Sequence, residues 1–204
     1  MNCIEWIIKP LERQHIQSVV QVHQRSFFGF FLSFLGPRFL KEFYNAFIRE
    51  DSGIALMVID ATNGHVLGFV VGTTHPNGFF KRLLKERWWA FCLASVSALM
   101  RKPTSALRLF RALFYRGTPP SGKVRALLSS IAVDPDSGGR GLGKALVESW
   151  VEEVRKRGMP GCYLTTDAEG NDPVNHFYER CGWKVESTYV TPEGRKMNRY
   201  ILDF

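Results

Sequence analysis

The residues best arranged for chemistry in this chain lie in one glycine-rich segment, 129–146. It reads Ser-Ser-Ile-Ala-Val-Asp-Pro-Asp-Ser-Gly-Gly-Arg-Gly-Leu-Gly-Lys-Ala-Leu, which predicts a strand, a loop and the first turn of a helix. Glycines let the backbone approach a ligand closely, and the unpaired N–H groups at a helix N-terminus favour an anion such as a pyrophosphate. We therefore expect a phosphate site here, to which Arg140 and Lys144 add positive charge.

The same segment has two other interpretations. The spacing from Gly138 to Gly143 and Lys144 fits a nucleotide P-loop except at its last position, which is Ala145 and lacks the hydroxyl that would hold Mg²⁺. About 60 residues follow, too few for the repeated βα units of such a fold. The remaining alternative is a connector that binds nothing, and the basic residues count against it.

A second segment, 171–183, carries a candidate proton donor. It reads Asn-Asp-Pro-Val-Asn-His-Phe-Tyr-Glu-Arg-Cys-Gly-Trp and predicts a short helix over 174–181. The phenol of Tyr178, with an ordinary pKa of about 10, stays protonated at neutral pH and suits general acid catalysis. The alternatives are a packed aromatic beside Phe177 and, for Asn171, a helix N-cap.

Together the two segments resemble the signatures of GNAT acetyltransferases. Ile131-Ala132-Val133-x-Pro followed by Arg-Gly-x-Gly resembles the family's pyrophosphate motif, Q/R-x-x-G-x-G/A, with Gly138 at the position of Gln or Arg. The second segment is similar to N-x-x-A-x-x-F-Y-x-x-x-G-F, with Val174 for Ala and Trp183 for Phe. The resemblance covers residues 127–183.

The resemblance implies an α/β fold with a mixed, mostly antiparallel central sheet flanked by helices. It implies one acyltransferase domain over residues 1–204, with 79–117 as a basic helical insertion. Acetyl-CoA would be the acyl donor, and the acetyl group would pass directly to an acceptor amine in a ternary complex, without a metal. The alternative is a GNAT-like module that binds coenzyme A without turnover.

The resemblance also implies roles for individual residues. Tyr178 would protonate the leaving thiolate, and a bulge in the strand before the loop would free backbone N–H groups near Ile131 and Val133 for the thioester carbonyl. The residues that would hold the donor are Ile131, Ala132, Val133, Gly138, Gly139, Arg140, Gly141, Leu142, Gly143, Lys144, Asn171 and Asn175.

The general base and the acceptor stay open at this point. The family often places a glutamate on the strand before the phosphate loop, but 127–130 reads Leu-Leu-Ser-Ser. His23, Asp60 and His75 are candidates, each with a structural role as its alternative, and helical spacing turns His176 away from Tyr178. The acceptor could be an amino sugar, a nucleotide sugar, a small amine, an amino acid or a protein amine.

Periodicity predicts the elements that must position these residues. A strand over 4–8 and a helix over 10–25 come first, with Ile16, Val19, Val20 and His23 on one helical face. A phenylalanine-rich loop, 27–35, leads to a helix that ends at Glu50, and Asn63-Gly64 predicts a hairpin of strands 54–60 and 66–73. Further elements are strands over 123–133, 162–166, 184–190 and 196–203, and helices over 141–157 and 174–181.

The charge and composition of the chain indicate which classes of partner to expect. The net charge is +8, and the segment 79–116, with nine basic residues and the single acid Glu86, accounts for all of it. Its apolar stretch 88–100 is too short to span a bilayer, so we expect a packed helical hairpin, a homodimer seam, peripheral membrane contact or recognition of an anionic acceptor, and no nucleic acid. The four cysteines form no CxxC pair, which argues against zinc. With no signal peptide or long apolar run, the sequence predicts a cytoplasmic protein.

Overall fold

The fold is described from a computed structural model, which covers residues 5–27, 31–79, 82, 85, 124–192 and 194–204. The strands are β1 (Trp6–Pro10), β2 (Gly53–Asp60), β3 (Val66–Thr73), β4 (Ala126–Val133), β5 (Gly161–Asp167), β6 (Lys184–Val190) and β7 (Lys196–Asp203). The helices used below are α1 (Ile16–Ser26), α2 (Phe31–Phe34), α3 (Pro37–Arg49), α4 (Leu142–Lys156) and α5 (Asp172–Arg180).

Within the described ranges, the strands form one seven-stranded sheet in the order β1-β2-β3-β4-β5-β7-β6. Neighbouring strands are antiparallel except β4 and β5, which are parallel. The prediction of a mixed, mostly antiparallel sheet flanked by helices is therefore confirmed. The parallel pair joins the β1–β4 half of the sheet to the β5–β7 half, and the two sequence motifs follow its two strands.

Helices cover the two faces of the sheet with separate apolar cores. On one face, α1 and α3 pack against β2, β3 and β4, and their buried side chains include Val19, Val20, Phe39, Phe43 and Phe47. On the other face, the apolar sides of α4 and α5 pack against the sheet, and their buried side chains include Leu146, Trp150 and Tyr178. Trp150 lies so close to β3 that a Cβ on Gly72 would come within 2.4 Å of its ring. The glycine therefore lets α4 sit directly on the sheet.

The predicted elements agree with the structure in kind and differ at their ends. The predicted helical face of α1 is buried as expected, but α1 begins at Ile16 after a 3₁₀ turn over Arg13–His15. The prediction of a continuous loop over 27–35 is wrong, because residues 31–34 form the short helix α2. The predicted insertion, 79–117, lies outside the described residues apart from Phe79, Arg82 and Lys85.

Two features of the described residues concern membrane spans and metal sites. None of the helices in these ranges is both long and apolar enough to cross a membrane. No group of three or more His, Cys, Asp and Glu side chains in the same ranges is arranged to hold a metal ion.

Candidate active site

The glycine-rich loop leaves β4 through a turn that its own residues hold. The Asp134 carboxylate accepts a hydrogen bond from the Asp136 N–H at 3.0 Å, and the backbone carbonyl of Asp134 accepts one from the Ser137 N–H at 2.8 Å. Gly139 and Gly141 then adopt left-handed φ angles of 75° and 74°, which favour glycine because a Cβ would be strained there. The loop thus presents exposed backbone with no side chains at these two positions.

The loop ends at the first turn of α4, where backbone donors point out of the helix. The first α-helical hydrogen bond runs from the Ala145 N–H to the Gly141 carbonyl at 3.0 Å, so the N–H groups of residues 142–144 precede it. Lys144 is 62% exposed, 3.7 Å from Glu148, and Arg140 is exposed too. The helix dipole and these two cations give this end of α4 the charge that an anion requires.

Two residues of α1 brace the same loop from the opposite face. The guanidinium of Arg25 lies 2.7 Å from the Asp134 carboxylate and 2.5 Å from that of Asp136. The adjacent Ser26 hydroxyl donates to the Val133 carbonyl at 2.9 Å. Sequence reasoning missed both residues, because they are separated from the loop by more than 100 positions and belong to no motif.

Beside the loop, β4 and β5 separate and leave a cleft. In the described strands they pair only at Ala126–Cys162 and Leu127–Tyr163, after which β4 continues along β3 and β5 along β7. The C-terminal ends of two parallel strands are therefore apart. The loop and α4 follow one strand, and α5 follows the other.

The edge of β4 that faces this cleft carries backbone N–H groups. Asp134 donates its N–H to the Leu67 carbonyl of β3 at 2.7 Å. Since N–H groups alternate in direction along a strand, Ala132 points the same way, whereas Ile131 and Val133 point away from β3. The pairing register also shifts between Val71 and Gly72, which face Ser130 and Leu128, so Ser129 forms a bulge in β4.

The second motif forms α5, which lies against the start of α4. A Cβ on Gly143 would be 3.6 Å from the Phe177 ring. Tyr178 is 5% exposed, and its ring packs against Trp183 and Tyr200 at centroid distances of 6.0 and 5.8 Å. Burial raises the pKa of its phenol, so the hydroxyl is protonated at neutral pH. Tyr178 is thus a packed aromatic residue whose hydroxyl carries a proton.

Two asparagines fix α5 to the end of β5. Asn171 is the N-cap residue of α5, as its alternative role supposed, but its side chain makes no cap hydrogen bond and its amide instead donates to the Thr166 hydroxyl at 2.8 Å. The Asn175 amide donates to the carbonyls of Asp167 and Asn171 at 3.0 and 3.1 Å. Its oxygen accepts from Asn198 and Tyr200 at 3.2 and 3.0 Å, which uses the whole bonding capacity of the Asn175 side chain.

The three candidates for the general base have different surroundings in the structure. Asp60 holds the β2–β3 turn by accepting from Thr62, and these hydrogen bonds lower its pKa. His75 forms a hydrogen bond with Thr74 at 3.0 Å, beyond the C-terminal end of β3. That end of β3 pairs with the start of β4, whereas the glycine-rich loop follows the end of β4. His23 is buried, and its Nδ1 lies 2.5 Å from the hydroxyl of Tyr44, which is itself 3.4 Å from that of Ser130 on β4. His23 alone is therefore connected to the strand beside the cleft.

Residues 16–183 match the profile of the acetyltransferase (GNAT) family. Over 69 residues the chain is 36% identical to mycothiol acetyltransferase of Propionibacterium freudenreichii, covering 34% of this chain and 22% of that protein. Over 75 residues it is 40% identical to [ribosomal protein bS18]-alanine N-acetyltransferase of Escherichia coli, covering 35% of this chain and 50% of that protein. The chain thus spans half the length or less of the curated relatives it matches.

Solved structures extend the likeness in fold to nearly the whole chain. The ribosomal-protein-S18-alanine N-acetyltransferase from Escherichia coli superposes with a TM-score of 0.59 at 19% identity, covering 98% of this chain and 94% of that one. A variant of spermidine N-acetyltransferase from Vibrio cholerae superposes with a TM-score of 0.60 at 16% identity, covering 97% and 93%. At these identities the likeness is one of fold.

Proposed function

Because this chain belongs to the acetyltransferase (GNAT) family, we propose that it is an N-acetyltransferase that moves an acetyl group from acetyl-CoA directly to an amine. The observation that carries the proposal is the cleft between β4 and β5. On one side it has the first turn of α4 and the inward-pointing N–H groups of Ile131 and Val133. On its other side is α5 with Tyr178.

The donor fits this cleft in charge and in shape. The N–H groups of Leu142, Gly143 and Lys144 suit a pyrophosphate at the helix N-terminus, and Arg140 and Lys144 supply counter-charge. A Cβ at Gly139 or Gly141 would meet nothing within 4 Å, so backbone alone lines the approach there. Bound in this way, acetyl-CoA would supply the activated acyl group as a thioester.

Chemistry at the thioester requires two functions from the chain. Negative charge develops on the carbonyl oxygen when an amine attacks, and fixed backbone donors stabilise it. We assign this role to the N–H groups of Ile131 and Val133, which the alternation of β4 directs into the cleft. The sulfur must leave as a thiol, and we assign the proton to Tyr178, whose phenol is neutral at physiological pH.

The two asparagines have different parts in this proposal. Asn171 lies in the turn between β5 and α5, where its amide contacts the Thr166 hydroxyl, and we assign it to the polar arm of the donor. Asn175 is fully hydrogen-bonded within the protein, so it acts by holding α5 against β5 and β7. A direct contact between Asn175 and the donor would require one of these bonds to be replaced.

The proposed acceptor is a primary amine whose class is left to experiment. One curated relative is a mycothiol acetyltransferase, another is an N-acetyltransferase of an alanine in ribosomal protein bS18, and a fold neighbour is a spermidine N-acetyltransferase. Release of free coenzyme A thiol should be measured with acetyl-CoA and a panel of an amino sugar, a polyamine, an amino acid and a peptide with an N-terminal alanine. Release that depends on one of these amines supports the proposal. Tight binding of acetyl-CoA without release for any amine would favour the module without turnover.

A further inference from the structure

The side chains of β4 change faces at Ser129, and this turns Ser130 toward α1 and α3. Residues two apart on a regular strand share a face, so Ser130 would be expected beside Leu128 in the core under α4. Leu128 is indeed in that core, but Ser130 pairs with Val71, which packs with α1 and α3. The extra residue at the bulge reverses the alternation. As a result, the Ser130 hydroxyl lies 3.4 Å from that of Tyr44 on α3.

Behind Ser130 lies a buried pair of polar side chains. Tyr44 is fully buried and His23 is 2% exposed, and the His23 Nδ1 is 2.5 Å from the Tyr44 hydroxyl. Desolvation lowers the pKa of His23 to about 4, so the imidazole is neutral at physiological pH. Ser130 is partly exposed. The three side chains therefore form an uncharged chain that runs from the partly exposed Ser130 on β4 into the core between α1, α3 and β4.

An uncharged oxygen acceptor at this position suits an amine nucleophile. Protonated amines, with pKa values of about 8 to 10, do not attack a carbonyl, so the nitrogen must be neutral. A carboxylate beside it would favour the ammonium form, whereas a hydroxyl oxygen accepts an N–H without adding charge. A hydroxyl has one proton and two lone pairs. If Ser130 donates its proton inward to Tyr44, and Tyr44 donates to the Nδ1 of His23, only lone pairs face the cleft.

We propose that Ser130 accepts the N–H of the incoming amine, and that Tyr44 and His23 are positioning residues that keep its lone pairs directed into the cleft. This inference rests on the proposed function and adds an acceptor-binding group to it. The Tyr44–Ser130 separation of 3.4 Å is long for a hydrogen bond between hydroxyls. Contacts of this kind shorten when the substrate is in place.

Steady-state kinetics on variants of the full chain tests the inference, using whichever amine the panel identifies. Ser130→Ala and Tyr44→Phe should each lower kcat/KM for the amine by roughly tenfold, the size of one lost hydrogen bond. Ser130→Thr, which keeps the hydroxyl, should retain most of the activity. The affinity for acetyl-CoA, measured by calorimetry, should be the same in all of these chains.

The double variant separates positioning from simple packing. If Tyr44 acts through Ser130, Tyr44→Phe should cost no further activity once Ser130 is alanine, whereas independent packing effects would multiply. Wild-type kcat/KM in Ser130→Ala, or multiplying losses in the double variant, would overturn the inference while leaving the proposed function intact. A wild-type chain that releases no thiol with any amine would overturn both.

Discussion

The guanidinium of Arg25, near the end of α1, lies 2.7 Å from the carboxylate of Asp134, the residue that joins β4 to the glycine-rich loop. Asp134 also accepts the Asp136 N–H, and so holds the turn from which the loop begins. A helix on one face of the sheet is thereby tied to the loop that precedes a helix on the other. We infer that the position of the loop depends on this contact as well as on its own glycines.

Arg25→Gln should therefore weaken acetyl-CoA binding without unfolding the protein. The ion pair is at the surface, where such contacts contribute little, so we expect the dissociation constant to rise by roughly two- to fivefold. Arg38→Gln removes the same charge from an exposed position on α3 and is the matched control. Calorimetric titration of both variants with acetyl-CoA provides the measurement. Equal affinities for acetyl-CoA in the two variants would show that Arg25 does not hold the loop in position.

Tyr178→Phe should reduce turnover and leave donor binding unchanged. The substitution removes one hydroxyl and keeps the ring that packs on Trp183 and Tyr200. Loss of a general acid lowers the rate by roughly 10²–10⁴-fold. Thiol release and calorimetry on the same preparation give the two quantities. A loss of less than about threefold would leave Tyr178 as a packing residue, with another group or water protonating the sulfur.

His23 should make the stability of the protein depend on pH below neutrality. Burial lowers its pKa from 6.5 to about 4 in the folded chain, so between these values the unfolded chain binds more protons. The free energy of unfolding should therefore be fully retained above pH 6.5 and fall as the pH drops toward 4, by up to roughly 3 kcal/mol from this residue. Denaturant unfolding of the wild type and of His23→Asn, which does not titrate, isolates the effect. Parallel pH profiles for the two chains would mean that His23 has the same pKa in the folded and unfolded states, which contradicts the prediction.

The sequence predicted the features that depend on residues close to one another in the chain. The strand, loop and helix around Gly138–Gly143 follow from residue types within one short segment, and so does the helix that carries Tyr178. The hairpin follows from Asn63-Gly64, whose turn is made by neighbouring residues. For these elements, pattern and structure agree to within a few residues.

Contacts between distant segments could not be predicted in this way. The side chain of Tyr44 reads as one more apolar position of α3 beside Phe43, and only the fold places it between His23 and Ser130. The bulge at Ser129 arises from the pairing register between β3 and β4, and the residue types in the strand do not predict that register. The role expected for the basic segment 79–116, a dimer seam or membrane contact, remains a prediction of the sequence.

Calorimetric titration of a matched pair of variants at Gly143 tests whether the glycine-rich loop and the start of α4 hold acetyl-CoA. A Cβ there would lie 3.6 Å from the Phe177 ring and 3.9 Å from a methyl group of Val133, both ordinary contacts, so Gly143→Ala and Gly143→Asp should both fold. The aspartate adds negative charge at the helix N-terminus where we place the pyrophosphate. We predict that Gly143→Ala binds acetyl-CoA and that Gly143→Asp, folded by circular dichroism, does not. Wild-type affinity in a folded Gly143→Asp chain would contradict the account.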